Sequence, residues 1–118
     1  MIQRTTFELR VPSDPALAVT VRTFVRASAP VLGLSEEDVE TLCLAATELL
    51  ANAVEHAQPS LDLVLSAEDG RWRLLANGVG PLDAIAGEPI DRRALLSGIA
   101  AVAIDEGGGV ELSAVASE

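Results

Sequence analysis

Residues Glu48–Ala57 read ELLANAVEHA, and how this stretch folds decides the architecture of the chain. Glu48, Asn52 and His56 recur at steps of four, the spacing that stacks side chains on one face of a helix. Upstream, Ser35 followed by Glu36, Glu37 and Asp38 is a helix cap with acid in the first turn, where the helix dipole favours it. From Val39 the apolar positions Leu42, Ala46, Leu49, Ala53 and Ala57 form one stripe, and Pro59 closes the helix. Glu48, Asn52, Glu55 and His56 fall on roughly the opposite side. A polar helix face is usually just a wetted one, but Asn is a poor mid-helix residue. Its amide oxygen suits Mg²⁺, and a glutamate one turn earlier could orient or deprotonate a hydroxyl. His56 has the simpler reading of a helix C-terminal residue, where positive charge is favoured.

Outward from this helix, Thr5 to Val11 places Phe7, Leu9 and Val11 at period two, a strand. Ser13 or Asp14 can cap the following helix, with Pro15 in its first turn and Leu17, Val21, Phe24 and Val25 as its stripe. Pro30 ends or kinks it. After Pro59, Leu61 to Ala67 and Arg71 to Ala76 read as an antiparallel hairpin around the sequence EDG. A loop from Asn77 to Asp91 precedes a third helix, Arg92 to about Asp105, and a last strand, Val110 to Val115. Alternatively AVAID and VELSA form a hairpin around EGGG, which shortens that helix. The order β-α-α-β-β-α-β predicts a single α+β domain over residues 1–118. It is a two-layer sandwich of a mostly antiparallel sheet, covered on one face by about three helices.

Composition narrows the function classes. The 118 residues carry a formal net charge of −10 and no Lys, with two Phe, one Trp and no Tyr. Phosphate backbones demand clustered cations and single strands demand stacking aromatics, so direct nucleic-acid binding is not expected. The acidic balance suits docking on a basic partner. Cys43 reads as a small core residue. No segment approaches the roughly 20 apolar residues of a membrane span, and the expected location is the bacterial cytoplasm.

The segment LAATELLANAVEHA resembles the N-box helix of the histidine-kinase-like (GHKL, or Bergerat-fold) ATPases, with its E-x-x-x-N-A-x-x-H-A pattern. Within them the chain is most similar to the bacterial anti-sigma-factor serine kinases, and the resemblance runs over nearly its whole length. It implies Asn52 as the Mg²⁺ ligand and Glu48 as the general base, with His56 and Ala57 completing the helix end. In that family a D-x-G-x-G turn follows the hairpin, its Asp reading the adenine amino group. Here Gly78 and Gly80 take the glycine places and Ala76 stands where the Asp belongs. Alanine accepts no hydrogen bond, a loss worth about 1.5–3 kcal/mol. Shifting by one residue offers Asn77 as the acceptor but breaks the glycine spacing. The family's G-x-G-L phosphate cradle at the opening of the last helix is also eroded. Leu96 replaces the first glycine, only Gly98 remains, and acidic Glu88 and Asp91 lie just upstream. The lid from Leu82 to Asp91 has no Lys or Arg to clamp a γ-phosphate.

The resemblance therefore implies a regulatory protein of this fold that acts by binding a sigma factor or an anti-sigma antagonist. It would be a possible homodimer, with weak or no ATP binding. The alternative is an active kinase that uses ATP and Mg²⁺ through Glu48 and Asn52 and phosphorylates an anti-sigma antagonist.

Overall fold

The computed structural model describes residues 4–82 and 91–117. β1 (Thr6–Pro12) is followed by a 3₁₀ turn (Pro15–Leu17) capped by Asp14, whose Oδ1 accepts the Ala16 N–H at 2.9 Å. α1 (Ala18–Ser28) ends before Pro30, which opens a second 3₁₀ turn, Pro30–Leu32. α2 (Glu36–Glu55) is the N-box helix, and its Ser35–Asp38 capping box satisfies two of the orphan N–H groups at its start. β2 (Ser60–Glu68) and β3 (Arg71–Asn77) form the expected hairpin. Its two turn residues, Asp69 and Gly70, both have positive φ, the backbone that a tight hairpin turn requires.

The third helix differs from the simplest sequence reading. α3 spans only Arg92–Ser97, and the chain then forms β4 (Ala101–Ile104), which pairs antiparallel with β5 (Val110–Val115). The hairpin around EGGG is thus the alternative that holds. Asp105 fixes its turn by accepting the N–H groups of Gly107 and Gly109 at 2.9 and 2.8 Å. The short AVAI run carries β-branched residues at period two, and the Asp105 turn outcompetes helix continuation.

All five strands are antiparallel neighbours in the order β1-β2-β3-β5-β4. β3 alternates strictly between exposed and buried residues, with Trp72, Leu74 and Ala76 pointing inward. Their cross-strand partners Ala67, Leu65 and Leu63 on β2 and Ala114, Leu112 and Val110 on β5 continue the inner face. The helices cover that face. α2 lies at the centre of the packing, with Leu42, Ala45, Ala46, Leu49 and Ala53 fully buried. Ala57, expected on the same stripe, instead lies past the helix end, exposed and at φ 50°. The mostly antiparallel two-layer α+β sandwich is therefore borne out, with the sheet antiparallel throughout.

Candidate functional site

The polar face of α2 is not the wetted surface that its residue types suggest. Asn52 is only 3% exposed. Its Nδ2 donates to the backbone oxygens of Val79 and Pro81, at 2.8 and 2.9 Å. The amide therefore clamps the glycine turn that follows β3 onto the last turn of α2. Gly78 and Gly80 both have φ of +80°. A Cβ on Gly78 would meet the Ser60 carbonyl oxygen at 2.1 Å, and one on Gly80 would meet the His56 Cβ at 2.8 Å. Only glycine fits at either position. The His56 backbone N–H donates to the Asn52 backbone carbonyl at 3.1 Å, and its side chain packs under Gly80.

The residue that sequence reasoning missed is Arg92, the first residue of α3. Its Nε donates to Glu48 Oε2 at 2.9 Å. Nη1 donates to Glu55 Oε2 at 2.7 Å and to Asn52 Oδ1 at 3.3 Å, while Nη2 reaches Glu55 Oε1 at 3.0 Å. A single guanidinium thus engages three of the four residues of the polar face, all but His56, including the amide oxygen that the sequence assigns to Mg²⁺. The Arg92 side chain is 11% exposed, against 25% for Glu48 and 41% for Glu55. The hydrogen bonds from Arg92 hold the Glu55 carboxyl below its usual range. In turn those from Glu55, outweighing the cost of burial, raise the Arg92 pKa above its ordinary value. Arg92 is therefore charged at any working pH. The signal available in the sequence was Glu48, Asn52 and Glu55 at spacings of four and three, two carboxylates on one face that demand a cation.

The remaining predicted positions fall as follows. Ala76 is 1% exposed on the inner face of β3, between Leu63 and Val110. Asn77, the alternative acceptor, is exposed and faces the outer side opposite Asp62. Leu96 is fully buried and belongs to the main core, as do Val79 and Leu82. Gly98 is not at a helix opening: it follows the last turn of α3, and its N–H is taken by the carbonyls of Ala94 and Leu95. Asp91 caps α3 by accepting the Ala94 N–H at 3.0 Å. Glu88 and most of the lid lie outside the described residues. Among the described residues, no group of three or more His, Cys, Asp or Glu is placed to hold a metal, and no helix is long and apolar enough to cross a membrane.

Comparison with known proteins places these features. A family model described as the histidine kinase-like ATPase domain matches residues 11–75, from the end of β1 through the N-box helix and into β3. Among solved structures, that of the RsbU and RsbW domains of Rv1364c from Mycobacterium tuberculosis is similar at a TM-score of 0.58 and 21% identity. The match covers 92% of this chain and 31% of that one, so this chain spans about a third of its length. At that identity the likeness establishes the fold. No curated protein matches the chain.

Proposed function

The chain belongs to the histidine kinase-like ATPase domain family, and we propose that it is a member that works by binding proteins, with weak or no use of ATP. The observation that carries this reading is Arg92. Its guanidinium engages Glu48 Oε2 and Asn52 Oδ1, the acceptors that would otherwise face Mg²⁺ and a phosphate chain. For a nucleotide to engage there, Arg92 must first leave two carboxylates. The departure costs free energy that the nucleotide would have to return. Ala76 removes the hydrogen-bond acceptor for adenine, placing a buried methyl group on the inner face of β3 where the resemblance calls for a carboxylate.

The partner we propose is a sigma factor or an anti-sigma antagonist, within a bacterial partner-switching circuit in the cytoplasm. The support is the family together with a fold shared with a solved structure that contains an RsbW domain. The exposed acids of α2, Glu36, Glu37 and Glu40, suit a basic docking surface. Calorimetric titration with ATP and Mg²⁺ tests the first half of the reading. Saturable binding at micromolar nucleotide would overturn it in favour of the kinase, in which Glu48 is the base and Asn52 the metal ligand. Titration with purified candidate sigma factors and antagonists tests the second half. Failure of every candidate in the source genome to bind would overturn that half.

A further inference from the structure

Ser66 is buried where a serine should be wet. It sits on β2 in the alternation that faces away from the helices, on the same side as Val64 and Glu68. Its side chain is small, yet the residue is only 5% exposed. Among the described residues its hydroxyl has no hydrogen-bond partner. A buried hydroxyl left unpaired costs free energy, and such groups ordinarily have a partner.

The side chains that enclose Ser66 are long and cationic. Ser66, Arg73 and Ser113 stand in one row across β2, β3 and β5. Arg71 lies one step along β3 on the same face, and Arg4 reaches in from the chain before β1. With Glu68 and Asp69 they line a cavity of about 120 Å³, and Ser66, the buried residue among them, forms its floor. The chain has 18 acidic residues against eight Arg, so three Arg around one small hole concentrate its scarcer charge. Arg4 pairs with Glu68, and Arg73 Nε lies 2.9 Å from Glu111 Oε1. One carboxylate does not exhaust the five N–H donors of a guanidinium. Arg71 has no carboxylate partner among the described residues. Its Nη2 reaches Ser113 Oγ at 3.4 Å, the long end of a hydrogen bond.

We propose that this cavity is a binding site for a small tetrahedral oxyanion, inorganic phosphate in its hydrogen-phosphate form. Arg71 and Arg73 supply the charge, and the hydroxyls of Ser66 and Ser113 supply donors from the floor and wall. Size sets the class: 120 Å³ is well below the ~300 Å³ at which pockets for drug-sized ligands begin, so a nucleoside does not fit. Asp69 sets the choice of anion. It lines the cavity and has no cation partner among the described residues. Hydrogen phosphate carries an O–H that donates to a carboxylate, whereas sulfate has acceptors alone and meets Asp69 as a like charge. The three Arg are exposed, so dissociation is expected at about 1–10 mM at low salt, weakening as chloride screens them. The cavity lies on the far face of the sheet from α2, and its occupation is independent of the proposed function.

NMR titration of the whole chain at pH 7, with sodium phosphate or sodium sulfate at matched ionic strength, tests it. Phosphate is expected to give saturable shifts at the amides of Ser66, Arg73 and Ser113, and sulfate to bind at least threefold more weakly. Arg71→Gln should weaken phosphate binding at least tenfold. Arg26→Gln makes the same change of charge on the helix layer and should leave binding unchanged. Ser66→Ala should weaken binding at least threefold while melting at or above wild type without phosphate, because it removes an unpaired hydroxyl. Asn tolerates the positive φ of position 69, so Asp69→Asn should keep the turn and erase the preference over sulfate. Absence of saturable shifts at these residues up to about 50 mM phosphate would overturn the proposal, that ceiling lying several-fold above the expected dissociation range. So would equal affinity for sulfate in the wild-type chain, or a Ser66→Ala variant that binds phosphate as wild type does.

Discussion

Replacing Arg92 by Ala leaves Glu48 and Glu55 on one face of α2 without their shared cation and frees Asn52 Oδ1. The Glu55 contact is bidentate, but its carboxylate is 41% exposed, so solvent screening reduces it to about 0.5–1 kcal/mol. The Glu48 contact is more enclosed, at 11% and 25% exposure for the two side chains. It falls below the 3–5 kcal/mol of a fully buried pair, at about 1–2 kcal/mol. Together the loss should be about 1.5–3 kcal/mol, which for a domain of this size lowers the melting temperature by roughly 6–12 °C. Urea unfolding at low and high salt measures it, and high salt should narrow the gap between wild type and variant. Arg92→Lys keeps the charge without the planar fork that reaches three groups, so it should recover less than half of the loss. A loss below about 0.5 kcal/mol, within the range of an ordinary surface substitution, would refute the claim that Arg92 holds this face. The same variant reports on the site. If Arg92 is what keeps nucleotide out, Arg92→Ala should bind ATP·Mg²⁺ more tightly than wild type. Equal affinity would refute the occlusion argument and leave only the structural role.

Ala57→Gly should stabilise the chain by about 0.5–1 kcal/mol in urea melts, because Ala57 sits at φ 50° just past the α2 cap, where glycine carries no Cβ penalty. Gly70 and Gly78 both have positive φ, but a Cβ meets open space at Gly70 and the Ser60 oxygen at 2.1 Å at Gly78. Ala should therefore cost about 1 kcal/mol at the first and unfold or severely destabilise the chain at the second, as judged by circular dichroism. Asp38 is buried, which raises its pKa. Hydrogen bonds from Ser117 and Ser35 outweigh this and hold it below the usual carboxylate range. Because its folded pKa is depressed, its stabilisation is complete above about pH 4 and disappears as pH falls through the folded value. Asp38→Asn should cost about 1–2 kcal/mol at neutral pH, and the gap to wild type should close on the acid limb of a pH–stability curve. Leu96→Ala should cost about 2–5 kcal/mol by thermal melt, as expected of a fully buried leucine in the main core.

Most of the fold was legible because its elements are announced by local chemistry. Ser35 and the acids after it mark a helix start, Asp69-Gly70 mark a two-residue hairpin, and Pro30 and Pro59 mark ends. The segment after Asp91 was ambiguous for a physical reason. Ala, Val and Ile at 101–104 continue a helix or start a strand equally well on local pattern, and the outcome depends on pairing with β5. The site was half legible. Glu48, Asn52, Gly78 and Gly80 are gathered in one place, but the state of that place is set by Arg92, 40 residues from Asn52 in sequence. A guanidinium that arrives through tertiary packing leaves no periodicity to read. Gly98 was misread for a related reason: a glycine near a helix does not say which end of the helix it occupies.

The N-box residues of this chain have a mechanical role of their own. Asn52 spends both of its amide protons on the carbonyls of Val79 and Pro81. Removing it would strand two backbone oxygens beside a buried residue, Val79. Gly78 and Gly80 are confined by the Ser60 carbonyl and the His56 side chain, with no ligand involved. Glu48 and Glu55 are neutralised by a residue of the same chain. Each motif residue thus has a task in folding that needs no nucleotide. The motif marks the fold, and it is weak evidence for ATP on its own. Catalysis here would require the Arg92 guanidinium, which donates to Glu48, to move. If it releases Glu48 when a partner or nucleotide arrives, the kinase reading regains its base. If it stays bound under both conditions, Glu48 is a structural carboxylate and the surface of the protein is its function.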